Sequence, residues 1–132
     1  MDSGVLVKLY VREPNSDEAA GIIRRHEVLP LNGLLELELC NTFRRLESRN
    51  VLTEAQRAAA EHFLELDCLD GRLHRTAVNW TEVFHHSMAL SRSLDILHIA
   101  VALYQHCSLF ITADNRQASF ARLCGLHVEH VA

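Results

Sequence analysis

Four acids in this chain, Asp2, Glu38, Asp95 and Asp114, stand at ends of expected strands and starts of expected helices. Such positions converge on one edge of a parallel sheet, where ligands of open α/β folds bind. Four carboxylates cannot share a site as bare anions, so they require divalent cations, and an oxygen-only donor set selects Mg²⁺ or Mn²⁺. The chemistry that follows is phosphodiester hydrolysis, with a metal-activated water attacking phosphorus and metal charge stabilising the leaving oxygen.

Each acid also has a plain structural role. Asp2 can cap the helix that begins "SGVLVKLY". Asp114 with Gln117 three residues on matches a capping arrangement. Asp95 opens the most apolar helix, where a carboxylate complements the positive end of the macrodipole by about 0.3 to 1 kcal/mol, although Ser93 is also available as a cap. Glu38 shares one helical arc with Asn41, Thr42 and Arg45, opposite Leu35, Leu39, Phe43 and Leu46. That arc suits a solvated face, or a carboxylate ligand with its supporting groups one turn along.

The elements that must position these residues alternate between helix and strand. Residues 3 to 10 read as a short helix that Pro14 stops, and Ser16 is placed to cap "DEAAGIIRRH". "VLPL" (28 to 31) reads as a short buried strand. "LLELELCNTFRRLESRN" is a helix ending near Asn50, and Thr53 opens "EAQRAAAEHFLELDCL", which Gly71 ends. "RLHRTAV" is a strand, and "WTEVFHHSMALS" and "LDILHIAVALYQHC" are helices, the second apolar nearly all round and hence buried. "SLFITA" is a buried strand, "NRQASFARLCG" a helix closed by Gly125, and "LHVEHVA" a last strand. Strands separated by helices of this length predict βαβ units: an α/β, three-layer fold with a parallel sheet between helices.

Length and composition agree. The 132 residues, 48% hydrophobic and 23% charged, suit one globular domain spanning 1–132. No apolar stretch approaches the about 20 residues that cross a bilayer, and Asp2 and Lys8 interrupt any leader-like run. Cys40, Cys68, Cys107 and Cys124 show no C-x-x-C pairing and read as small core residues of a reducing, cytoplasmic compartment. A net charge of −4 argues against a protein that simply coats nucleic acid, but not against an enzyme that cuts it. Nine histidines without H-x-x-x-H or Cys/His spacing make no zinc site; His85 and His86 are adjacent and diverge on a helix. His98 reads as a hydrogen-bonded core residue. Arg44, Arg45, Arg49, Arg92 and Arg116 are candidates for an RNA groove, though singly each reads as a solvated charge.

"MDSGVLVKLYVREP", "ELELCNTFRRL", "RSLDILHIAVAL" and "LFITADNRQASFARLCGL", in this order over almost the whole chain, resemble the PIN domain, in particular the VapC-type toxins of toxin-antitoxin modules. The resemblance implies a Mg²⁺- or Mn²⁺-dependent endoribonuclease with a parallel sheet between helices, a homodimer neutralised by a small cognate antitoxin. By motif it assigns the four metal-holding, catalytic acids to Asp2, Glu38, Asp95 and Asp114, with Asn41 and Thr112 in support. It also implies a strand of about five apolar residues before the first acid. Only Met1 precedes Asp2, so that strand reads as truncated, and the connection between "MALS" and "RSLD" reads as shortened. These departures motivate an alternative, a catalytically impaired PIN-like subunit acting through antitoxin or dimer binding. A phosphoacceptor receiver domain would need paired acids after its first strand and a Lys after a later one, and neither is found.

Overall fold

The computed structural model describes residues 1–83 and 95–131, with Asp95 and Ile96 described in backbone alone. It divides into two compact units, Leu6–Ala77 and Met1–Val5 with Val78–Ala132. Expectations that fall on residues 84–94 lie outside the described residues: most of the helix "WTEVFHHSMALS", His85, His86, Arg92, Ser93 and the connection before Asp95. Residues 80–83 are helical. The helix α1 (Ser3–Tyr10) has the bounds expected from the sequence.

The unit Leu6–Ala77 contains α2 (Ser16–Ile23), β1 (Leu29–Asn32), α3 (Gly33–Ser48), α4 (Glu54–Leu69) and β2 (Leu73–Thr76). β1 and β2 run parallel, with Leu29 beside Leu73 and Asn32 beside Thr76. A parallel pair cannot be joined by a tight turn, and α3 and α4 provide the crossover. The Asn32 side chain starts α3 by accepting the Leu35 N–H at 3.0 Å. Leu35, Leu39 and Phe43, four residues apart and no more than 2% exposed, form its buried stripe. α4 begins in a capping box: Gln56 N–H donates to Thr53 Oγ1 (3.1 Å) and Thr53 N–H to Gln56 Oε1 (2.8 Å). Gly71 at φ 79° lies just beyond its end, where the left-handed backbone favours glycine.

Charged side chains tie these elements together. Arg57 of α4 donates to Glu47 of α3 at 2.6 Å, and Arg75 of β2 reaches Glu36 of α3 (2.8 Å) and Glu65 of α4 (2.7 Å). Tyr10 meets Phe43 edge-on at 6.2 Å, and its hydroxyl donates to Asp67 Oδ2 at 2.6 Å. Burial first, and then Asp67, push the Tyr10 phenol above its ordinary range. Several element bounds and one cap differ from the sequence reading. β1 spans Leu29–Asn32 and not 28 to 31, because its pairing with β2 begins at Leu29 beside Leu73, and Val28 is exposed. Ser16 does not cap α2. It is the first helical residue; its Oγ accepts the Glu13 N–H at 2.9 Å and donates to Val11 O at 3.4 Å, while Asn15 at φ 65° holds the cap position. The turn has captured the hydroxyl that the helix was expected to use.

The other unit contains α5 (Asp95–Tyr104), β3 (Leu109–Thr112), α6 (Asn115–Leu123) and β4 (His127–His130). β3 and β4 are parallel, Leu109 beside His127 and Thr112 beside His130, with α6 as crossover. Residues 97 to 102 of α5 are all buried, as an all-round apolar helix should be. Ile99, Ala102, Phe110, Ala121 and Leu126 make the core, with Cys107 and Cys124 packed against it. The described strands thus form two parallel pairs, one in each unit. No helix among the described residues is long and apolar enough to cross a membrane.

Candidate functional site

At the carboxyl end of β3, Asp2, Thr112 and Asp114 come together. Asp2 is 8% exposed and is held from three sides. Its backbone N–H donates to Ile111 O at 3.1 Å, fastening the residue alongside β3. Its Oδ1 accepts the Val5 N–H at 3.1 Å, so it does cap α1 as its local sequence suggested. Its Oδ2 accepts the Thr112 hydroxyl and the Ala113 N–H, the latter at 3.1 Å. A carboxylate with three donors is fixed in orientation.

Thr112 is fully buried and joins two of the acids. Its Oγ1 lies against Asp2 Oδ2 and accepts the Asp114 N–H at 3.0 Å. Gln117 Oε1 lies 2.8 Å from the same hydroxyl, which carries one proton and gives it to one acceptor at a time. Asp114 caps α6: its Oδ1 accepts the N–H groups of Arg116 (2.7 Å) and Gln117 (3.2 Å). Its Oδ2 takes no hydrogen bond among the described residues.

Asp95 opens α5 as expected, and its side chain lies outside what is described. Glu38 and Asn41 belong to the unit Leu6–Ala77, on the arc of α3 away from Leu35, Leu39 and Phe43. Glu38 is half-buried there and Asn41 exposed. Arg44, Arg45 and Arg49 are exposed on α3, as is Arg116 on α6, and His98 is buried. Among the described residues no three His, Cys, Asp or Glu side chains gather closely enough to hold a metal ion.

This order of elements and acids can now be set beside known proteins. The family model of the PIN domain matches residues 1–124. The chain belongs to the PIN domain family. None of the curated proteins compared with it matches. Its mixed α/β architecture, with parallel strands and helical crossovers, is consistent with the PIN α/β/α fold, and PIN domains are generally metal-dependent nucleases. The acids of the PIN unit that contains β3 fit such an ion: Asp2 and Asp114 offer oxygen donors only, linked through Thr112, with Asp114 Oδ2 left over from its capping role.

One contributor to this arrangement is silent in the sequence and another departs from its expected role. The Ala113 N–H is a backbone group, which no residue type announces. The Gln117 side chain was expected to cap α6 reciprocally, yet the N–H it would have accepted is already taken by Thr112.

Proposed function

We propose that this PIN domain is a VapC-type toxin, a Mg²⁺- or Mn²⁺-dependent endoribonuclease that hydrolyses RNA phosphodiester bonds. The observation that carries the reading is the Asp2–Thr112–Asp114 relay, in which two family acids are held by one buried hydroxyl at the end of β3. By motif, Asp2, Glu38, Asp95 and Asp114 would hold the ion, Asn41 would support Glu38, and Thr112 would fix Asp2. The bound ion supplies a water nucleophile at neutral pH and positive charge at the phosphoryl oxygens. This chain's own part is to hold and orient the carboxylates. The two compact units are read as one PIN-like domain over 1–132, supported by a family match that runs through both. A cytoplasmic location suits four free cysteines.

The test is cleavage of a structured RNA by purified protein with Mn²⁺. The reading expects activity abolished by EDTA and by Asp95→Asn; cleavage that persists through either refutes it.

The second reading, a PIN-like subunit with weak catalysis that acts through an antitoxin or a second protomer, has an observation of its own. On α4, Phe63, Leu66 and Leu69 follow one another at three-residue spacing and are 56%, 37% and 74% exposed. Large apolar side chains left exposed along one helix suit a protein-binding surface. If Phe63→Asp with Leu66→Asp abolishes partner or self-association while the protein never cleaves RNA, this reading replaces the first.

A further inference from the structure

Gly4 is the second residue of α1, it is exposed, and glycine weakens a helix more than any residue but proline. The usual reasons for glycine are missing. Its backbone is helical rather than left-handed, unlike Gly71 (φ 79°) and Gly125 (φ 85°). No neighbouring backbone crowds it. The atom a Cβ would meet is Asp2 Oδ1, at 2.9 Å, inside the closest approach of a real Cβ, whereas a Cβ at Gly21 or Gly33 would meet nothing within 4 Å.

We propose that Gly4 is a positioning residue for Asp2: its missing side chain leaves the space into which the carboxylate folds back, and so fixes the orientation Asp2 presents to a cation. This rests on the reading of Asp2 as a metal ligand, but its geometry stands apart from it. The carboxylate is pinned at both oxygens, by Val5 N–H at Oδ1 and by Thr112 and Ala113 at Oδ2. It therefore cannot yield to a methyl group as the free end of a flexible side chain would. A Cβ at position 4 forces a rotation about the Asp2 side-chain bonds. The bond nearest the intrusion, Val5 N–H to Oδ1, is the one lost. Groups that orient a ligating carboxylate typically govern metal affinity by 10- to 100-fold.

The experiment compares wild type, Gly4→Ala and the control Gly21→Ala, a helical glycine of α2 with open space around it. Two quantities are read: Mn²⁺ affinity by calorimetry, and hydrogen-exchange protection of the Val5 and Ala113 amides by NMR without metal. Gly4→Ala is expected to lose Val5 protection and to weaken Mn²⁺ binding by about 10- to 100-fold, with Gly21→Ala unchanged in both. A Gly4→Ala protein that keeps wild-type Val5 protection overturns the proposal, whatever its affinity. Lost protection with Mn²⁺ affinity equal to wild type also overturns it, because Gly4 would then shape the helix and not the ligand. If wild type binds no Mn²⁺ while Gly4→Ala still releases the Val5 amide, the metal reading falls and the placement of Asp2 by Gly4 stands. A thermal scan of each variant separates these outcomes from global unfolding.

Discussion

Replacing Thr112 by valine removes one oxygen while keeping shape and burial, and the structure sets what that should cost. The hydroxyl donates to a buried carboxylate, a bond to a charged group that contributes about 1.5–3 kcal/mol. It also accepts the Asp114 N–H, a neutral bond of about 0.5–1.5 kcal/mol. Asp2 keeps its Val5 and Ala113 donors, so its charge is not left bare, and the loss is capped at about 2–4.5 kcal/mol. Against a typical domain stability of about 5–15 kcal/mol this is a large effect from an isosteric change. Thr112→Ser keeps the oxygen and drops a buried methyl, which should cost only about 0.5–1.5 kcal/mol. Urea unfolding followed by circular dichroism measures both, the midpoint reporting stability so long as the slope is unchanged. A Thr112→Val protein within about 0.5 kcal/mol of wild type, or no worse than Thr112→Ser, would refute the claim that the hydroxyl organises these acids.

Asp114→Asn should leave stability within about 0.5 kcal/mol, because asparagine caps as well as aspartate, yet cut Mn²⁺-dependent RNA cleavage at least 100-fold; parallel melting and cleavage assays separate the two roles. Gly21→Ala should raise stability by about 0.5–1 kcal/mol in urea titrations, since its Cβ meets nothing in α2. The raised Tyr10 phenol predicts alkaline sensitivity. A folded-state value above the unfolded one, about 10, stabilises fully below that pH and is lost above it, at up to about 1.4 kcal/mol per pH unit. Urea midpoints from pH 8 to 11 should therefore fall for wild type, while Tyr10→Phe starts lower and lacks that contribution; parallel slopes would exclude it.

Much of the fold was legible because its signals are local. α4 has the bounds its sequence announced, Thr53 with Gln56 at one end and Gly71 beyond the other, since every bond that starts it lies within three residues. Ser16 misled for the same reason in reverse: Val11 and Glu13, equally close, offered its hydroxyl other partners. At the site, the caps at Asp2 and Asp114 could be read locally. The bond from Thr112 to Asp2 spans 110 residues, and nothing in periodicity or propensity encodes it. Only the motif resemblance placed Thr112 near the metal, and it did not foresee that the same hydroxyl would take the Asp114 N–H and so deny Gln117 its reciprocal cap.

The capping and ligand readings of these acids, which compete when the sequence is read alone, turn out to be compatible. Asp2 gives Oδ1 to the start of α1 and Asp114 gives Oδ1 to the start of α6, so each carboxylate sits at the positive end of a helix. The start of a helix takes Oδ1 of each carboxylate and fixes its direction before any ion arrives. Asp114 Oδ2 is thereby spared, while Asp2 Oδ2 is aimed by Thr112 and Ala113. A capped aspartate is thus an oriented one, and orientation is what a hard cation asks of its ligands.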